Sequence, residues 1–153
     1  MAQFDLAQYD ILDLILADAM PDEEKLNILE SYFDAYNMLV TKEFGAELSE
    51  KDQDAMEELM KDPTVTTDIF MKFLTDRMPH MEAKIIYFTL EYKKMFILNV
   101  YKNKLDEYKG NTKADGYAAW EQIYKDAQAD NWEEVTRLLE VLKSRYGEKS
   151  ATA

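Results

Sequence analysis

Apolar residues recur at intervals of three and four along most of this chain, which is the spacing of one face of an α-helix. Residues 21–44 show the pattern most clearly. The apolar positions of this segment are Leu26, Leu29, Phe33, Tyr36 and Val40. Because a helix with one apolar face packs that face inward, we expect these five side chains in the core.

The segment 84–102, KIIYFTLEYKKMFILNVYK, is apolar in almost every direction around a helix. Glu91, Lys93 and Lys94 near its centre exclude a membrane span, since each charge would cost about 2.5–3.5 kcal/mol in a bilayer. No glycine or proline interrupts residues 84–109, which excludes a pair of strands. We therefore predict a long helix at the centre of a helical bundle. Its expected buried positions are Ile85, Phe88, Tyr92, Phe96 and Val100.

Start and stop signals divide the rest of the chain into further helices. A first helix is predicted over about 6–18, and a second begins at Pro21 and ends at Gly45. Ser49 opens the third, because a residue of this type caps a helix with its hydroxyl.

The fourth helix is predicted to begin at Asp62 or Thr64 and to end at Pro79. Two shorter helices follow and meet near residues 130–131. The sequence as a whole predicts an all-α protein, a single-domain bundle of about seven helices around a long central helix. We predict a single helical domain over 1–147 and a disordered tail over 148–153. The domain consists of N-terminal acidic helices over 6–77, the central helix over about 80–109 and a C-terminal helical hairpin over 115–146.

Composition agrees with helix, since the 153 residues include only four glycines and three prolines. The chain has no cysteine, which removes disulfides, thiolate nucleophiles and thiolate metal sites. No basic residue precedes the apolar run at residues 11–17, as a secretory signal would require. We expect a soluble, cytoplasmic protein that does not bind membranes.

Candidate catalytic chemistry is scarce. His80 is the only histidine, so a catalytic triad or a paired Glu-x-x-His metal site has too few ligands, and a surface or capping role is expected for it. Residues 52–63 begin like a calcium loop, but Glu57 stands where glycine is required and Pro63 where a glutamate is required. The sequence predicts no catalytic residue, no metal and no cofactor.

Negative charge is concentrated in the N-terminal half. Residues 1–71 contain 18 acidic and four basic residues, a balance of −14. The net charge of the whole chain is −13, so the remaining residues are close to neutral. Such a surface repels nucleic acid and attracts basic proteins. We therefore expect a non-enzymatic interaction or adaptor protein that binds another protein with a basic surface and does not bind nucleic acid directly. The candidate partner-binding residues are Glu47, Glu50, Asp54, Glu57 and Glu58.

Four alternatives remain open at the level of sequence. The acidic half can imitate nucleic acid and inhibit a DNA- or RNA-binding protein, or it can serve solubility alone. An enzyme that uses only carboxylates would need two of them in one enclosed pocket. Faces rich in methionine or tyrosine are the other candidates for an interface.

Overall fold

The computed structural model describes residues 2–16, 20–62, 64–108, 110–113 and 116–152. Within these ranges the chain forms seven α-helices and no strand, so the predicted all-α class is confirmed. The α-helices are α1 (Ile11–Leu14), α2 (Asp22–Phe44), α3 (Glu50–Met60), α4 (Thr67–Arg77), α5 (Glu82–Asp106), α6 (Tyr117–Gln128) and α7 (Trp132–Thr152). Short 3-10 helices cover Ala2–Gln8, Gly45–Glu47 and Pro79–Met81.

The chain divides into two compact units. One consists of Met1–Pro21 with Lys93–Ala153, and the other of Asp22–Tyr92. The boundary falls inside α5, so this helix contributes residues to both units. The single domain over 1–147 stays a prediction.

The first predicted helix, over 6–18, is interrupted in the structure. A 3-10 helix ends at Gln8, and α1 begins only after Asp10. Asp10 has an extended backbone, and its carboxylate accepts a hydrogen bond from the Leu12 amide at 2.8 Å. Aspartate competes in this way for backbone amides and favours a helix start over a helix interior. Residues 17 and 18 of the prediction lie outside the described residues.

The other helix starts follow local signals closely. α2 begins at Asp22, directly after Pro21, and the Ser49 hydroxyl caps α3 by accepting from the Asp52 amide at 3.1 Å. α4 begins later than predicted, because Thr66 is its cap. Asp62, one of the two predicted caps, instead accepts hydrogen bonds from the amide and hydroxyl of Thr64 in a local turn.

Two helices differ in length from the prediction. The long helix is α5, which begins at Glu82 after a 3-10 turn and ends at Asp106. α7 continues to Thr152, whereas the sequence predicted an end near residue 146 and a disordered tail from 148. Gly147 alone does not end a helix, and residues 148–152 contain no proline.

In the Asp22–Tyr92 unit, hydrogen-bonded tyrosines join α2 to α5. The Tyr36 hydroxyl lies 2.7 Å from the Thr89 hydroxyl, and the Tyr92 hydroxyl donates to the Tyr32 carbonyl at 2.8 Å. The ring of Phe70, from α4, packs edge-on against Tyr36. All these side chains are buried. The hydroxyl groups of Tyr36, Thr89 and Tyr92 are thus hydrogen-bonded, which avoids the free-energy cost of burying an unpaired polar group.

The predicted core face of α2 is only partly correct. Tyr36 and Val40 are buried and Phe33 is half-buried. Leu26 and Leu29, on the same face nearer the start of the helix, are 65% and 37% exposed. The apolar face of α2 thus extends beyond the part that is covered.

The predicted buried positions of α5 are also partly correct. Ile85 and Tyr92 are buried, whereas Phe88, Phe96 and Val100 are half-buried. The buried places in the second half of the helix belong to Ile97 and Tyr101, each one residue further along the chain. An almost uniformly apolar helix offers no sequence signal to distinguish these neighbouring faces.

In the other unit, the second half of α5 holds the N-terminal segment. The Lys93 ammonium donates to the carbonyls of Leu6, at 2.9 Å, and Tyr9, and the Tyr101 hydroxyl donates to the Leu14 carbonyl at 2.6 Å. The Leu6 carbonyl also accepts from the Tyr9 amide at 3.3 Å. The three carbonyls lie near the ends of short helices, where intrahelical hydrogen bonding is incomplete.

The C-terminal hairpin packs in the same unit. α6 and α7 pack against each other, with Trp120, Ile123 and Val135 among their buried residues. Lys94 of α5 forms an ion pair of 3.0 Å with Asp130 at the turn between them. No helix in the described part of the chain is long and apolar enough to cross a membrane.

Candidate partner-binding surface on helix α3

Four of the five predicted site residues lie on α3. With 100° between successive residues, Glu50, Asp54, Glu57 and Glu58 fall within an arc of about 100° on one side of the helix. All four are exposed. We call these four residues the α3 acidic face.

The opposite side of α3 anchors the helix. Met56 is 4% exposed and lies roughly across the helix from the α3 acidic face. Leu59 and Met60 on that side are half-buried. An apolar side that packs inward leaves the carboxylates directed to solvent.

An ion pair with α4 also holds α3 in place. Asp52 and the Nε atom of Arg77 are 3.3 Å apart, and both side chains are about one-third exposed, at 33%. The Arg77 guanidinium also lies 3.6 Å from the centre of the Phe73 ring. Arginine held over an aromatic ring has fewer conformations to lose when it pairs with a carboxylate.

Glu47, the fifth predicted residue, lies outside α3 on the 3-10 helix Gly45–Glu47 and is exposed. The Gln53 side chain connects this turn to α3, because its amide nitrogen is 3.1 Å from the carbonyls of both Gly45 and Leu48. The structure therefore brings Glu47 to the start of α3.

Lys61 partly offsets the charge of the α3 acidic face, and the exposed Lys51 lies beside that face. The Lys61 ammonium is 2.9 Å from Glu58, and this hydrogen bond raises the pKa of Lys61. Both side chains are about three-quarters exposed, at 73% and 74%. An exposed pair of this kind contributes little to stability, so Glu58 stays free to exchange Lys61 for a cation on a partner.

The α3 acidic face suits electrostatic recognition better than catalysis. Its carboxylates are on an open helix surface, where water screens them, whereas catalytic carboxylates need an enclosed pocket. No group of three histidine, cysteine, aspartate or glutamate side chains in the described residues is arranged to hold a metal ion. His80 is exposed, on the 3-10 helix Pro79–Met81.

The structure also contains a cavity that the sequence did not single out. It has a volume of about 250 Å³ and lies between residues 8–16 and α7. Its charged lining residues are Asp10, Asp13, Glu140 and Lys143. Asp10 already caps α1, and Lys143 offsets part of the negative charge. Residues so far apart in the sequence give no motif from which this cavity could be predicted.

Comparisons with protein-family models, with curated proteins and with solved structures find no match to this chain.

Proposed function

We propose that this chain is a non-enzymatic helical protein that binds a basic surface of another protein. The α3 acidic face, together with Glu47, is the centre of the contact. The observation that carries the proposal is the placement of four exposed carboxylates on one side of a single anchored helix. Carboxylates on one side of a helix create an electrostatic field that attracts and orients a basic partner. Carboxylates spread over the whole surface raise solubility without orienting a partner.

The charge around the α3 acidic face supports the same proposal. The Asp22–Tyr92 unit contains 17 acidic and seven basic residues, a balance of −10. The other unit contains 14 acidic and 11 basic residues, a balance of −3. The unit that contains α3 therefore holds most of the net charge of −13.

Inhibition of a DNA- or RNA-binding protein by imitation of nucleic acid is the second candidate. Glu50, Asp54 and Glu57 form a row along α3, with steps of about 6 and 4.5 Å at a rise of 1.5 Å per residue. A row of anions can enter a basic cleft that normally holds phosphates. Competition between this chain and duplex DNA for the same partner would identify that form of the function.

The test begins with affinity purification of the full chain from its native host to identify the partner. A triple variant, Asp54→Asn with Glu57→Gln and Glu58→Gln, is then compared with the unmodified chain. We expect association to slow about tenfold or more at low salt and to differ little near 1 M salt, where the screening length falls to about 3 Å.

A second triple variant controls for the loss of three charges. Asp106→Asn, Glu133→Gln and Glu140→Gln remove as many exposed carboxylates from the other unit. This control should slow association much less at low salt. Equal slowing by the two variants would show that only net charge matters, and the α3 acidic face would then not be the site.

A further inference from the structure

The first two turns of α2 present an apolar surface that the Asp22–Tyr92 unit covers only in part. Leu26 is 65% exposed and Leu29 is 37% exposed. Successive helical positions place these two side chains about 60° apart, in the same arc as the buried Tyr36 and Val40. We call Leu26 and Leu29 the α2 leucine pair.

The contacts of α2 show where the packed part of its apolar face begins. Tyr92, the last residue that α5 contributes to this unit, donates to the Tyr32 carbonyl. Phe33 is the next apolar residue after Leu29 on this face, and its ring packs edge-on against Phe70, 5.9 Å between centres. The packed core of the unit therefore begins one turn after the α2 leucine pair.

Acidic residues border the α2 leucine pair on one side. Asp22 lies in the same arc one turn before Leu26, and Glu23, Glu30 and Asp34 lie on the Leu26 side, within about 80° of that residue. All four are exposed. Lys25, the one basic residue in the first three turns of the helix, lies on the other side, about 40° from Leu29. An apolar surface bordered by carboxylates on one side is complementary to a helix that has an apolar face with lysine or arginine along one edge of it.

We propose that the α2 leucine pair is a docking site for a cationic amphipathic helix of a partner protein. The leucines would contact the apolar face of that helix, and the four carboxylates would pair with its flanking cations. A second copy of this chain fits poorly, because it would bring the same carboxylates of two molecules together.

This site is distinct from the α3 acidic face. α2 has 23 residues and is therefore about 35 Å long, and α3 follows its opposite end. The two sites also differ in chemistry, since the α2 leucine pair adds apolar contact to charge. Either proposal can fail without the other.

A synthetic peptide tests the site with the full chain. The probe is a helical peptide of leucine and lysine, about 18 residues or five turns long, with leucines at helical spacing on one face. An isomer of the same composition but scrambled order keeps the charge and loses the apolar face. We expect the amphipathic peptide to bind more tightly than its isomer at 0.15 M salt.

Two matched variants locate the binding. Leu26→Ala with Leu29→Ala should raise the Kd for the amphipathic peptide about tenfold, since it removes the apolar contact. Met38→Ala with Leu39→Ala should change the Kd less than about twofold. These control residues are on the same helix and are about equally exposed, at 69% and 36%, but they point to other sides. Alanine favours helix in all four places, so the fold should be kept.

Three results would overturn the proposal. The first is equal weakening by the two double variants, and the second is equal binding of the peptide and its isomer. The third is concentration-dependent dimerisation of the unmodified chain that Leu26→Ala with Leu29→Ala abolishes, since a second copy would then be the occupant. The triple α3 variant and its charge-matched control should lower the peptide affinity equally, which separates this test from that of the α3 acidic face.

Discussion

At the residue scale, the buried tyrosines are the most informative feature of this protein. The Thr89 hydroxyl donates to the Ile85 carbonyl at 2.8 Å, so its only proton is used there. Tyr36, 2.7 Å away, must therefore donate to Thr89. Burial raises the pKa of Tyr36 to about 12 from 10.0. Folding thus favours the protonated phenol.

This pairing predicts a loss of stability at alkaline pH. Well below pH 10, Tyr36 is protonated in both the folded and the unfolded state, so it does not make the free energy of unfolding depend on pH. Between about pH 10 and 12 the unfolded phenol ionises while the folded one keeps its proton, so the free energy of unfolding should fall as pH rises. The slope for one such group reaches about 1.4 kcal/mol per pH unit.

Urea unfolding of the unmodified chain and of Tyr36→Phe, at several pH values from 8 to about 11.5, would measure this effect. The variant should be less stable at neutral pH and should show the smaller slope above pH 10. Burial also raises the pKa values of Tyr32, Tyr92 and Tyr101. The free energy of unfolding of the variant should therefore still fall with pH, but less steeply. Identical slopes would mean that Tyr36 ionises as easily in the folded state as in the unfolded one.

At the element scale, α5 is a helix whose burial the sequence predicted only in part. Its side chains are apolar on almost all sides, yet only some of them are enclosed. Ile97 is 0% exposed, whereas Met95, two residues earlier, is 48% exposed. Neighbouring side chains of similar size should therefore differ greatly in what they contribute to the free energy of unfolding.

Truncation of these two side chains should separate their contributions. Ile97→Ala should lower the free energy of unfolding by about 2–5 kcal/mol, because it leaves a cavity in packed surroundings. Met95→Ala, the matched control, should cost less than about 1 kcal/mol, since its side chain is half in water. Urea melts of the two variants would give both values, and similar losses would show that this part of α5 is not packed as described.

At the scale of the whole molecule, the uneven distribution of charge is the dominant property. The Asp22–Tyr92 unit carries −10 and the other unit −3. Like charges repel within the folded state and move apart on unfolding. Added salt should therefore stabilise the native chain by screening this repulsion.

We expect the Tm to rise by about 3 °C, equivalent to about 1 kcal/mol, between about 20 mM and 0.5 M sodium chloride. The variant with Asp54→Asn, Glu57→Gln and Glu58→Gln has less repulsion to screen and should show a smaller rise. Calorimetry of both chains would measure the difference. A Tm that falls with salt would show that favourable ion pairs, such as Asp52–Arg77 and Lys94–Asp130, outweigh the repulsion.

The sequence by itself determined the helical class and most helix boundaries. These depend on neighbours within one turn: Pro21 before α2, the Ser49 hydroxyl on the Asp52 amide, and the break before Pro79. The same short range explains why the α3 acidic face could be predicted, since residues four apart share one side of a helix wherever that helix packs.

Only the tertiary structure decided which apolar residues are enclosed and which are left for a partner. Leu26 and Val40 belong to one helical face and read alike in the sequence, yet one is 65% exposed and the other 1%. The N-terminal segment is held by Lys93 and Tyr101, more than 80 positions away, with separations of 84 and 87 residues. Burial depends on what a side chain meets across space, and local periodicity records only which way it points.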